Sequence, residues 1–128
     1  MSKVEIHVDR STFEAGETII GEVVWQASKE VKEILLELEW FTEGKGTTDG
    51  ETVASQTIPS ESESGRQRFS IDIPKQVPAS YQGEIVSVCW QLTASGEIAW
   101  AKDPESHFRL VIGPRGQAYE IYPSRKTA

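Results

Sequence analysis

The chain is short of several things, and each shortage excludes a class of protein. Cysteine occurs once, as Cys89, so no intrachain disulfide can form and a thiolate zinc cage has no ligands. A reducing compartment is the implied setting, and the expected localisation is cytoplasmic. Basic residues are outnumbered, 13 Lys and Arg against 20 Asp and Glu, for a net charge of −7. Nucleic-acid backbones are held by clustered cations. Here the densest basic spots, Arg66/Arg68 and Arg125/Lys126, are diluted by Ser and Gln, so nucleic acid is not an expected partner. No apolar run reaches the ~18 residues of a membrane helix, and Met1-Ser2-Lys3 leads directly into a strand pattern. Direct membrane insertion is not expected. The sequence also has no nucleophile elbow, P-loop, HExxH or Rossmann fingerprint. The expectation is a protein that is not an enzyme, with no catalytic residue, no cofactor and no metal.

What is present suits one domain. A chain of 128 residues, 38% apolar with four Trp, has enough for a single core and too little for two. Its hydrophobic pattern has period two almost throughout. Val4, Ile6 and Val8 alternate with Glu5, His7 and Asp9. After a turn at Glu14-Ala15-Gly16-Glu17, Ile19, Gly21, Val23, Trp25 and Ala27 share one face. The segment Val31 to Phe41 is rich in helix formers, yet Ile34, Leu36, Leu38 and Trp40 alternate with Glu33, Leu35, Glu37, Glu39 and Phe41. A helix would scatter those carboxylates, whereas a strand puts them on one wet face, so a strand is expected.

Glu51 to Pro59 reads as a polar edge strand, followed by an acidic Ser-rich loop over Ser60 to Gly65. A strand through Phe69, Ile71 and Ile73 is stopped by Pro74. Ile85 to Thr93 is the longest apolar stretch and reads as a central strand covered on both faces, with a turn at Ser95-Gly96. Phe108, Leu110 and Ile112 mark the last strand. The fold class is therefore all-β, an immunoglobulin-like antiparallel β-sandwich of about 7–9 strands. Its expected extent is residues 1–113, with 114–128 a polar, mobile C-terminal tail.

Two stretches resemble the arrestin family. Phe13-Glu14-Ala15-Gly16-Glu17 followed by Ile20-Gly21-Glu22-Val23 is similar to its aromatic-x-x-Gly-Glu turn and glycine-bearing strand. Phe69 to Pro74, then Pro78-Ala79-Ser80-Tyr81-Gln82-Gly83, then Val86 to Ala94, is similar to its strand ending in Pro, its Pro-x-Ser-aromatic-x-Gly connection and the strand beyond. The match spans Val4 to Ile112. It implies an arrestin-like sandwich and a protein-binding or scaffolding role, in the manner of single-domain and sporulation-control-like members. Arrestins usually carry two such domains with a charge cluster between them, and this chain matches one, so their phosphate-triggered switch does not carry over. Neither a proline-rich ubiquitin-ligase motif nor a clathrin-type box occurs in the tail.

The candidate contact residues are Leu35, Phe41, Ile85 and Val111, which break the polar outer faces of their strands. A protein partner or a second copy of the chain, as a homodimer, would cover them, and the Glu51–Pro59 edge offers strand addition. The alternative is a carbohydrate-binding or other small-ligand module using Trp faces. By parity Trp25, Trp40 and Trp90 point inward, leaving Trp100 for that role. His7 and His107 lie on solvent faces and read as surface histidines, and Cys89 as a packed thiol.

Overall fold

A computed structural model describes residues 2–44, 49–78, 81–82, 86–99 and 103–113. Its strands are β1 (Lys3–Val8), β2 (Thr12–Glu14), β3 (Thr18–Gly44), β4 (Gly50–Asp72), β5 (Tyr81–Gln82), β6 (Val86–Ile98) and β7 (Glu105–Gly113). No helix occurs among the described residues. The all-β expectation holds, and seven strands fall within the expected number.

Two very long strands organise the sandwich. Residues Thr18 to Gln26 of β3 lie between β1 and the Ser64–Asp72 half of β4, forming one layer. Residues Val31 to Gly44 lie between the Gly50–Ser62 half of β4 and β6, with β7 beyond β6, forming the other. The corner between layers is a bulge: Gln26 pairs with Ser64 and Val31 with Ser62, so Ala27 to Glu30 stand opposite the single residue Glu63. This corrects two expectations. Thr18–Ala27 and Val31–Phe41 are halves of one bent strand, and Ser60–Gly65 is strand rather than loop. Ser-rich sequence carries no burial signal, but here its backbone is hydrogen-bonded along β3, and its side chains have no need to be apolar because they point to water.

The core sits between the layers. Ile19, Val23, Trp25, Phe69 and Ile71 come from the first layer; Ile34, Leu36, Leu38, Trp90, Leu92 and Leu110 come from the second. Gly96 is buried near the C-terminal end of β6, where a Cβ would lie 3.3 Å from Ile34, 3.4 Å from Val31 and 3.5 Å from Val4. The expected turn at Ser95-Gly96 is therefore absent: the small residue serves close packing between layers, and the strand runs on to Ile98. Strand β6 is central in its ladder, but Ser87, Cys89 and Gln91 are only partly buried, so the expected cover on both faces is also corrected.

The turn after β2 forms as the sequence implies. Gly16 adopts φ 92°, a conformation costly for a residue with a Cβ. Glu17 accepts from the Glu14 amide at 2.7 Å and pairs with Arg10 at 3.1 Å. The pattern gave no sign of β2 itself, whose three residues pair parallel with Val111 to Gly113 of β7.

Candidate functional site

Cross-strand registers set out the outer face of the second layer in rows. Thr57, Leu35, Ser95 and Glu105 form one; Ser55, Glu37, Thr93 and His107 the next; Thr52, Glu39, Gln91 and Arg109 the third. Phe41, between Gly50 and Cys89, lies in the fourth. Because side chains alternate, Glu33 and Glu43 share this face with Glu37 and Glu39. No second layer covers it among the described residues.

The β6–β7 side of this face is tied together. Gln91 Nε2 donates to Glu39 Oε2 at 2.7 Å, and the Thr93 hydroxyl lies 3.1 Å from His107 Nδ1. Arg109 pairs with Glu43 at 3.0 Å and holds its guanidinium 4.9 Å from the Phe41 ring centroid. The Cys89 thiol donates to Glu43 at 3.5 Å. Burial and the Glu43 carboxylate both push that thiol's pKa up, so it is less readily ionised than a free cysteine and makes a poor nucleophile at neutral pH. On the β4 side, Glu33 and Glu37 are half-buried and have no ion-pair partner among the described residues.

The three candidate contact residues that are described, Leu35, Phe41 and Val111, are not brought into one apolar cluster. Leu35 and Phe41 share a face but stand six positions apart on β3, roughly 20 Å, with Glu37 and Glu39 between them. Phe41 lies beneath Arg109. Val111 is half-buried, follows Arg109 on the same face of β7, and gives its amide to the Ser11 carbonyl at 2.8 Å. Ile85, Trp100 and the 114–128 tail lie outside the described residues. Trp25 and Trp90 are buried, and Trp40 is half-buried with its indole nitrogen enclosed. The cover of Arg109 over Phe41 had no sequence signal, since 68 positions separate the two.

The outer edge of this layer is β4. Among the described residues β4 is hydrogen-bonded to β3 alone. The Thr42 amide donates to the Asp49 carbonyl at 2.8 Å, so alternation along β3 turns the peptide groups of Leu38, Leu36 and Ile34 toward β4. Their partners Ala54, Gln56 and Ile58 answer them, and the peptide groups of Ser55 and Thr57 point outward, away from β3.

A concavity of about 780 Å³ lies at the other end, against β1 and β3. Ile6, Val8, Phe13, Ile20 and Phe108 share it with His7, Arg68 and Glu22. Ile20, 53% exposed, is the one large apolar side chain standing open among the described residues. Arg10, also at this groove, is engaged with Glu17 and lies over the Phe13 ring. No group of His, Cys, Asp and Glu suited to a metal ion occurs among the described residues.

Bent strands shared by two layers, a Gly16 turn opening onto β3 and a short strand laid parallel on β7 together make this an arrestin-like β-sandwich. Among solved structures it is similar to Spo0M, a sporulation control protein from Bacillus subtilis, with a TM-score of 0.72 and 19% sequence identity. The likeness covers 89% of this chain and 50% of that one, so the chain spans half the length of this neighbour. No family model matches the sequence, and no curated protein matches it.

Proposed function

We propose that this chain is a non-enzymatic protein-binding domain of arrestin-like type, working in the cytoplasm as an adaptor or scaffold. It engages another polypeptide through the outer layer built on β4, β3, β6 and β7. The observation that carries this reading is the β4 edge, whose outward peptide groups have no partner among the described residues. Backbone donors and acceptors on an open edge supply ready affinity for an extended segment. Leu35 of β3 would contribute an apolar contact beside it. Phe41 and Val111 are further candidate contacts away from this edge, and Ile85 is a candidate outside the described residues. The carbohydrate reading draws less support, because Trp25 and Trp90 are buried in the core and Phe41 is covered by Arg109.

The test is affinity capture of the tagged chain from its native cells, reconstitution with the purified co-eluting protein, and hydrogen exchange on the complex. Slowed exchange on β4 and β3 in a one-to-one complex is the expected result. A chain that retains no protein and instead binds sugars on a glycan array would overturn the reading.

A further inference from the structure

The edges of this sandwich are not guarded alike. On β1 the outward side chains are Lys3, Glu5 and His7, so every second position carries a polar, ionisable group. Beyond Pro59, β4 holds Glu61, Glu63, Arg66, Arg68 and Asp72. Charges of this kind discourage pairing with a foreign strand. Between Glu51 and Pro59, however, Thr52-Val53-Ala54-Ser55-Gln56-Thr57-Ile58 contains no charge, no proline and no glycine. Four of its seven residues are Thr, Val or Ile, the β-branched types that favour extended structure. It is the stretch in which Ser55 and Thr57 turn their peptide groups away from β3.

The side chains beside this window set the chemistry of what would fit. An added strand lies about 4.8 Å outside β4 and so roughly 10 Å from β3. Its outer-face side chains would cross Thr57 and Ser55, which are short and neutral, and meet Leu35 and Glu37 of β3 behind them, with Glu33 one step along. Glu33 and Glu37 have no ion-pair partner among the described residues. A short neutral row in front of unpaired carboxylates is matched by long cationic side chains, whose stems lie along the small residues while their heads reach the acids. An acidic strand would meet repulsion there, and a second copy of this chain would bring its own Glu33 and Glu37 to the same face, in a protein already at −7.

We propose that the Thr52–Ile58 edge of β4 takes an extended, basic segment of another protein by strand addition, its alternate Lys or Arg side chains crossing Ser55 and Thr57 to Glu33 and Glu37. This rests on the protein-binding reading and gives it a place and a partner chemistry.

The probe is a labelled decapeptide of alternating Lys and Val, titrated into the full chain by fluorescence anisotropy, with the Glu–Val alternation as counterpart. Binding of the Lys–Val peptide alone is expected, weakening as salt rises. Ser55→Pro removes an outward amide without breaking the ladder to β3, and it should weaken binding about tenfold or more. Because proline can unsettle a strand, circular dichroism checks the fold. Paired Glu33→Lys and Glu37→Lys substitutions give an independent arm, expected to weaken the Lys–Val peptide and admit the Glu–Val one. Equal binding of both peptides, or binding unaffected by Ser55→Pro in a folded protein, overturns the proposal. So does a dimer in sedimentation that Ser55→Pro dissolves, since the edge would then belong to a second copy. If a captured partner binds wild type and all these variants alike, this inference fails while the protein-binding reading stands. If no partner is captured at all, that reading fails first.

Discussion

Gly65 offers a sharp test of the packing, because two general effects predict opposite signs for Gly65→Ala. It lies within an exposed half of an edge strand, where replacing glycine ordinarily stabilises by about 0.5–1 kcal/mol through lost chain entropy. Here a Cβ would stand 2.6 Å from Trp25 Cζ2, 3.0 Å from Cε2 and 3.1 Å from Cη2. Those are ring atoms of the cross-strand partner, a rigid side chain only 6% exposed. Forcing a methyl into such a contact costs about 1–3 kcal/mol. The net expectation is a loss of about 1–2 kcal/mol, or roughly 4–8 °C in Tm for a chain of this size. Thermal unfolding followed by near-ultraviolet circular dichroism reads it directly. In a Trp25→Leu background the ring is gone, and Gly65→Ala should become neutral or stabilising, which makes the coupling a double-mutant measurement. A Tm for Gly65→Ala equal to or above wild type would refute the account of Gly65 as the seat of the Trp25 ring.

Trp90 is fully buried and donates its indole N–H to the Pro78 carbonyl at 2.8 Å. Trp90→Phe should cost about 2 kcal/mol in urea unfolding, and the Trp90 indole proton should exchange more slowly than any other in wild type. Glu17 has its carboxyl held below the ordinary 4.5, first by the Glu14 amide and then by Arg10. A depressed carboxylate stabilises fully above its unfolded value and loses that contribution as pH falls through its folded value. The Tm difference between wild type and Glu17→Gln should therefore be full above about pH 4.5 and close on further acidification. Cys89 has its thiol pKa raised by burial and by Glu43. Its alkylation at pH 8 should be slow in the folded protein and faster in Glu43→Gln, followed by mass spectrometry.

How much of this was legible in the sequence depends on what each residue answers to. Side chains that face the core announce themselves: Ile34, Leu36 and Leu38 are all fully buried, and their alternation decided strand over helix against local propensity. The same holds for Val4, Ile19, Val23 and Ile112. Ser60 to Gly65 was misread because a strand facing water is specified by its partner's backbone, which leaves no trace in side-chain polarity. Gly96 was misread because glycine in a turn and glycine under a neighbouring layer look alike until the Val4 side chain is placed above it. At the candidate site, the polar edge at Glu51–Pro59 was visible as a segment. Its place in front of Glu33 and Glu37 was not, since that follows from a register between strands.

Strands β3 and β4, at 27 and 23 residues, each pass through both layers. Neither layer therefore keeps a complete sheet if the other is lost. Pulling the Thr18–Gln26 half away from β1 drags the same ribbon that anchors β6, so the two layers should melt in one transition. A cut that tries to isolate one layer would sever both ribbons at their corner. A segment added at Thr52–Ile58 would accordingly lengthen a sheet whose main rail continues into the opposite layer. Local stiffening at that edge would then reach the far side of the sandwich through the bulged corner at Ala27 to Glu30.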